Sequence, residues 1–210
     1  MPKDSEPNRT TDMLLKDMLA GRRIILGSAS PRRRELLAGL GLDFTVEATP
    51  GALETYSPTL APDEVSSALA VSKSEGFHRP LEADEILITA DTVVICGEKI
   101  LGKPSDREDA VRMLRSLSGH THKVVTGVCI RDIRNKSVFS CTSEVEFKSL
   151  SDEEINYYID QYSPFDKAGG YGIQEWIGYI GITSIRGSYF NIVGLPVQRL
   201  YTVLSEFIGR

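Results

Sequence analysis

Ile24-Ile25-Leu26-Gly27-Ser28-Ala29-Ser30-Pro31-Arg32-Arg33-Arg34-Glu35-Leu36-Leu37 is the stretch on which the fold turns. A short apolar run ends at Gly27, and Ser30 followed by Pro31 gives the N-cap and first-turn pair that starts a helix. A strand therefore feeds a loop aimed at a helix N-terminus. There the free backbone N–H groups and the positive end of the helix dipole favour an anion, and Arg32 and Arg33 add full charges. From these residues two readings stay open: a phosphate cradle, or a strand-to-helix connection with a solvated basic turn.

Working outward, helix formers from Arg33 to Leu40 stop at Gly39 and Gly41, and Phe44-Thr45-Val46 alternates as a second strand, a βαβ-like start. Prolines and small residues from Thr49 to Ala61 mark a loop. Pro62-Asp63-Glu64 then opens a helix with Val65, Ala68, Leu69 and Ser72 on one face and Lys73 on or beside it. The near-continuous apolar run Glu85 to Ala90 suits a strand buried on both faces, which delivers Asp91 and Thr92 at its end. Val93 to Cys96 and Ile100 to Pro104 flank a turn at Gly97-Glu98-Lys99 and read as a hairpin closed by Lys103.

Ser105-Asp106-Arg107-Glu108 is a capping-box pattern, followed by Ala110, Met113, Leu114 and Leu117 at helical spacing; Ser151-Asp152-Glu153-Glu154 is a second box. Lys123 to Asp132 and Ser137 to Lys148 read as strands. The glycine-rich stretch Ser163 to Gln174 reads as too polar for core, with strand-like runs to Phe190 and Ile192 and a closing helix after Pro196. Hairpins mixed with crossovers predict an α/β fold with a mixed sheet.

At 210 residues the chain suits one domain or two packed lobes. Residues 1–21 read as a polar extension with a short helix, and 22–210 as a single domain. A net charge of -5 argues against nucleic acid as a bulk partner, so any anion site must be local. Cys96, Cys129 and Cys141 form no CxxC pair and sit in apolar runs, which points to packed thiols in a reducing compartment. The N-terminal stretch is too short and too charged for a signal peptide or membrane span, so a cytoplasmic protein with no membrane partner is expected.

Four cations, Arg32, Arg33, Lys73 and Lys103, fall at element ends, a placement suited to a polyanion such as a nucleoside triphosphate. Asp91 is the sharpest single signal, because strand ends in α/β sheets are where ligands sit. Its carboxylate suits either a Mg²⁺ held against phosphate oxygens or the proton of an attacking water, the alternative being a cap on a neighbouring turn. Glu54 offers a second carboxylate in the preceding loop. His120-Thr121-His122 lacks a nearby third ligand, so a structural or solvent role is expected of these histidines.

These residues resemble the Maf-like nucleotide pyrophosphatases. The resemblance rests on Ser28-Ala29-Ser30-Pro31-Arg32-Arg33, Ala90-Asp91-Thr92-Val93-Val94, Gly102-Lys103-Pro104, Ser118-Gly119 with His122, Asp166-Lys167-Ala168-Gly169-Gly170-Tyr171-Gly172-Ile173-Gln174, and Gly187-Ser188-Tyr189 through Asn191 to Gly194-Leu195-Pro196. It implies a mixed sheet flanked by helices, in two lobes with a cleft between them, as in the Maf and inosine-triphosphatase-like folds. It further implies hydrolysis of nucleoside triphosphates to monophosphate and pyrophosphate with a divalent metal, Mg²⁺ or alternatively Mn²⁺.

By position, Asp91 matches the family's proton acceptor. Arg32, Thr92 and Gln174 match positions linked to substrate choice, and Ser28, Ser30, Arg33, Lys73 and Lys103 match other active-site positions. Where the family has an acidic cluster this chain has Ala52-Leu53-Glu54-Thr55, so Glu54 and Asp91 are the implied metal ligands. The segment ending Gly-Ile-Gln resembles the branch acting on dTTP and UTP, with modified pyrimidine nucleotides as further candidates. A glutamine amide matches that choice, since it satisfies both the N3–H donor and the adjacent carbonyl of thymine or uracil. Beyond the nucleotide, a homodimer stays open as a partner. The family's association with septum formation supplies the rival reading, a non-catalytic nucleotide-binding regulator of cell division.

Overall fold

The computed structural model describes residues 13–49 and 56–209. In chain order the elements are α1 (Leu15–Met18), β1 (Arg23–Leu26), α2 (Pro31–Ala38), β2 (Phe44–Val46), α3 (Pro62–Glu75), β3 (Glu85–Cys96), β4 (Lys99–Leu101) and α4 (Arg107–Leu117). They continue with β5 (Thr121–Arg131), β6 (Lys136–Phe147), α5 (Asp152–Tyr162), α6 (Trp176–Gly181), β7 (Ile182–Arg186), α7 (Tyr189–Val193) and α8 (Val197–Ile208). The strands form one sheet in the order β2-β1-β3-β5-β6-β7, with β4 also on β3. Pairing is parallel among β2, β1 and β3 and antiparallel elsewhere, so the sheet is mixed as the sequence predicts.

Alternation along β3 divides the interior. Ile86, Ile88 and Ala90 face a core shared with β1, α1 and α8, whereas Val93 and Ile95 meet Val65 and Leu69 of α3. Val94 faces a second large core built by α4, α5 and β6. Leu15 and Leu19 are buried in the first of these, and the Leu15 amide donates to Tyr201 Oη at 3.1 Å, which ties α1 to α8. Cys129 is buried and the other two cysteines are partly so, all as free thiols. No helix among the described residues is long and apolar enough to cross a membrane.

Several sequence expectations need correction. The strand expected to deliver Asp91 and Thr92 at its end runs unbroken for 12 residues, so Asp91 lies mid-strand, opposite Gly127. The buried face of α3 is Val65, Ser66, Leu69, Ala70 and Ser74 instead of one including Ala68 and Ser72, because Gly127 on β5 lets the helix backbone at Ser66 and Ser67 come close while Val65 and Leu69 pack on Val125. The cap of α4 is Asp106, whose carboxylate accepts from the Asp109 amide at 2.7 Å, one position on from the expected box. By contrast, Ser151 and Glu154 form the reciprocal capping box that starts α5.

Two runs expected as strands, Trp176–Gly181 and Tyr189–Val193, are helices. Segments of five or six residues are too short for hydrophobic period to decide their type. The stretch 163–174 is not a polar surface loop: Gly169, Gly170, Tyr171, Gly172 and Ile173 are all buried. Its glycines are there for packing. At Gly169, with φ +69°, a Cβ would meet the Val94 side chain at 3.0 Å.

Candidate active site

The site begins as a notch in the sheet. One edge of β3 is covered by β5 from Leu87 to Ile95. The other edge pairs with β1 up to Ile88 and with β4 from Val94 onward, so Thr89 to Val93 have no strand partner there. Asp91 therefore does sit at a strand end, but the end is that of β1. The rule that ligands gather where strands stop applies to the neighbour.

A cleft of about 680 Å³ opens at this notch. One wall is the loop from β1 into α2. Ser30 Oγ accepts from the Arg33 amide at 3.4 Å as the helix N-cap, and Ser28 Oγ accepts from the Ser30 amide at 3.3 Å. The Arg33 guanidinium is a strut as well as a charge. It donates to Gly194 O at 2.9 Å, Ser28 Oγ at 3.3 Å and Thr92 Oγ1 at 3.1 Å. Thr92 Oγ1 also pairs with Thr126 Oγ1 at 2.9 Å, and Thr126 donates to Asn191 O at 3.0 Å. Buried Asn191 donates in turn to Val124 O and Ser143 Oγ, which fixes α7 and with it the Gly194 carbonyl.

The floor holds an ion pair between Lys73 of α3 and Asp91 Oδ1. Asp91 is 9% exposed, so this carboxylate faces the cleft through a narrow opening. Alternation sends Asp91 and Thr92 to opposite faces of the sheet, yet both line the cleft because the notch lets it pass the sheet edge. The far wall is the segment from Asp166 to Gln174. Arg32 Nη1 donates to Asp166 Oδ2 at 2.8 Å, a bridge from one wall to the other. Partial burial pushes the Asp166 carboxyl up, but hydrogen bonds and charges from Lys167 and Arg32 outweigh it and bring it down to about 2.

All of Ser28, Ser30, Arg32, Arg33, Lys73, Asp91, Thr92, Lys103 and Gln174 line this one cleft. Glu54 lies outside the described residues. Among the described residues, five cations (Arg32, Arg33, Lys73, Lys103, Lys167) and two carboxylates (Asp91, Asp166) face the space, a local positive excess in a chain of net charge -5. Such a cleft concentrates a polyanion. Among the described residues no group of three His, Cys, Asp or Glu could hold a metal alone. His122 is buried, stacks on Phe147 and bonds Tyr171 Oη through Nε2 at 2.7 Å, a structural role.

Sequence reasoning did not single out Asp166, Lys167 or Tyr171 as site residues. The signal available was the Asp-Lys pair set beside small residues, a charged pair in a segment that packs against β3 and α4. The Gly194 carbonyl carries no side-chain signal at all.

A family model described as Maf-like protein matches residues 23–207. A dTTP/UTP pyrophosphatase of Phocaeicola vulgatus is 52% identical over 88% of this chain and 95% of its own. One from Porphyromonas gingivalis is 53% identical over 91% of this chain and 97% of its own. Among solved structures, a HAM1 protein from Coxiella burnetii gives a TM-score of 0.44 at 12% identity, covering 88% of this chain and 99% of that one, a likeness too distant to add to the assignment. The family match spans nearly the whole chain and takes in both walls and the floor of the cleft, so the chain belongs to the Maf-like protein family.

Proposed function

We propose that this protein hydrolyses dTTP and UTP to the monophosphate and pyrophosphate. The observation that carries the proposal is the placement of the Lys73–Asp91 pair between an anion-binding helix start and the segment ending at Gln174. Relatives at about half identity that are named dTTP/UTP pyrophosphatases support it. A non-catalytic regulator would need the cradle but not the part-buried Lys73–Asp91 pair, and no observation favours it.

The triphosphate lies along Ser28 to Arg33, where α2's N-terminus, Arg32 and the rim residue Lys103 meet its charge. Lys73 holds Asp91 so that its carboxylate takes a proton from the attacking water. The water oxygen bonds to the α-phosphorus as the bond to the oxygen bridging toward the β-phosphorus breaks, and the electron pair leaves with pyrophosphate. Positioning and charge neutralisation supply most of the rate in such displacements. A divalent cation, Mg²⁺ or Mn²⁺, would be held chiefly by the phosphate oxygens beside Asp91, because a carboxylate that coordinates the cation loses the basicity that Asp91 needs toward the water. When bound, it neutralises charge on the phosphates. Gln174 reads the pyrimidine edge, donating from its NH₂ and accepting at its oxygen. Modified pyrimidine nucleotides with the same edge are further substrates, and such a role places the protein in the cytoplasm.

Pyrophosphate release from a panel of nucleoside triphosphates, with and without Mg²⁺, tests the proposal. Release from dTTP and UTP is expected, with turnover reduced about 10²-fold or more in Asp91→Asn. No release from any nucleotide, or near wild-type turnover in the variant, would refute it.

A further inference from the structure

Gln174 is, with Ile173, an inner residue of a tight turn. The Glu175 amide donates to Gly172 O at 3.0 Å, which closes Gly172-Ile173-Gln174-Glu175 as a four-residue turn at the cleft wall. Both ends of that turn are held by one atom. Tyr158 Oη accepts from the Gly172 amide at 2.9 Å and donates to Glu175 Oε2. Tyr158 is on α5, is fully buried, and does not line the cleft. Burial, then the hydrogen bond to Glu175, pushes its phenol up, so the hydroxyl stays protonated as a donor.

The clamp continues across the cleft. Glu175 Oε1 pairs with buried Lys167 at 3.1 Å, Lys167 pairs with Asp166 at 2.7 Å, and Asp166 takes Arg32 at 2.8 Å. Gly172 is packed into this arrangement, since a Cβ there would lie 2.9 Å from Glu175 Cδ and 3.1 Å from Lys167 Cε. No side chain fits between the turn and the ion pair. The orientation of Gln174 is thus linked, through Tyr158, Glu175, Lys167 and Asp166, to the arginine on the phosphate wall.

We propose that Tyr158 is a positioning residue for base selection, acting through the Gly172–Glu175 turn to fix Gln174 against the pyrimidine edge. This rests on the function proposed above. An amide side chain discriminates between bases only when its NH₂ and oxygen are held in place, because a free rotor presents either end. Loss of the hydroxyl leaves the Gly172 N–H and one Glu175 oxygen without their partner and lets the turn shift while the ring still fills its place in the core.

The test compares wild type, Tyr158→Phe and Tyr162→Phe. Tyr162 stacks on Tyr158 with ring centroids 5.2 Å apart but makes no bond to the turn, so its variant controls for loss of a tyrosine hydroxyl on α5. Two readouts are taken: kcat/KM for dTTP and GTP, and the Kd ratio for their α,β-methylene analogues. Tyr158→Phe is expected to lower the preference for the thymine nucleotide about tenfold in both, mainly through KM and Kd, while Tyr162→Phe leaves the ratio unchanged. An unchanged ratio in Tyr158→Phe, or an equal loss for both bases, would overturn the proposal. So would equal wild-type affinity for the two analogues. Binding selectivity without pyrophosphate release would instead refute the hydrolytic reading and leave the analogue comparison decisive for Tyr158.

Discussion

Arg33 donates to acceptors from three separate parts of the chain: the Gly194 carbonyl after α7, Ser28 in the cradle and Thr92 on β3. A planar guanidinium presents donors in fixed directions, which a lysine ammonium cannot copy. The sequence marks Arg33 as a cation at a helix start, but its work as a strut depends on residues some 60 and 160 positions away and is invisible without the fold. Gln174 belongs to the other kind of residue, one whose chemistry is legible from its type. Replacement of its NH₂ by a second acceptor oxygen in Gln174→Glu leaves the carbonyl of thymine facing a carboxylate and suits a base edge with two donors. The dTTP/GTP ratio in kcat/KM is expected to fall by about 10-fold or more. Steady-state kinetics on both nucleotides check this, and an unchanged ratio would show that another residue reads the base.

At the scale of elements, the site depends on how closely α3 lies on the sheet, because α3 brings Lys73 to Asp91. That approach is set by Gly127 on β5, where a Cβ would come within 2.3 Å of the Ser67 amide nitrogen and 2.5 Å of the Ser66 carbonyl oxygen. Helix backbone is the obstacle, so Gly127→Ala must push α3 away. A cost of about 2 kcal/mol or more is expected from such overpacking, with turnover falling further than stability alone accounts for as Lys73 leaves Asp91. Urea denaturation and kcat on the same preparation measure both, and a variant with native stability and turnover would contradict the geometry. Gly127 also shows why part of the fold is hidden in sequence. The long strands, α5 with its capping box and the closing helix each announce themselves through period or caps spread over many residues. The approach of α3 to β5 is written as one glycine and a few serines, and α6 and α7 are too short for period to tell helix from strand. The far wall of the cleft is hidden for a related reason: Gly169 and Gly170 read as polar loop when their function is to let backbone pack against Val94 and Pro104.

The molecule as a whole is held across the notch by groups that differ in how they respond to acid. On one side lies the core of β1 and α8, on the other that of α4, α5 and β6, and the segment 163–174 closes over the second. His122 joins β5 to that segment through Tyr171 and stacks on Phe147, and burial pushes its imidazole down from 6.5 to about 4. In the unfolded chain the same imidazole titrates near its ordinary value. Below that value the unfolded state binds a proton that the folded state does not, so stability rises with pH through this window and is lost as pH falls from about 6.5 toward 4. Between pH 7 and 5 the loss from His122 is expected to be about 2 kcal/mol. Urea midpoints across that range measure it, in wild type and in His122→Gln, whose amide offers Tyr171 Oη a polar partner but does not titrate. The variant is expected to be less stable at pH 7 and much flatter between pH 7 and 5. An equal slope in both proteins would mean that acid acts on another group, and that the link between β5 and the far wall of the cleft survives with His122 charged.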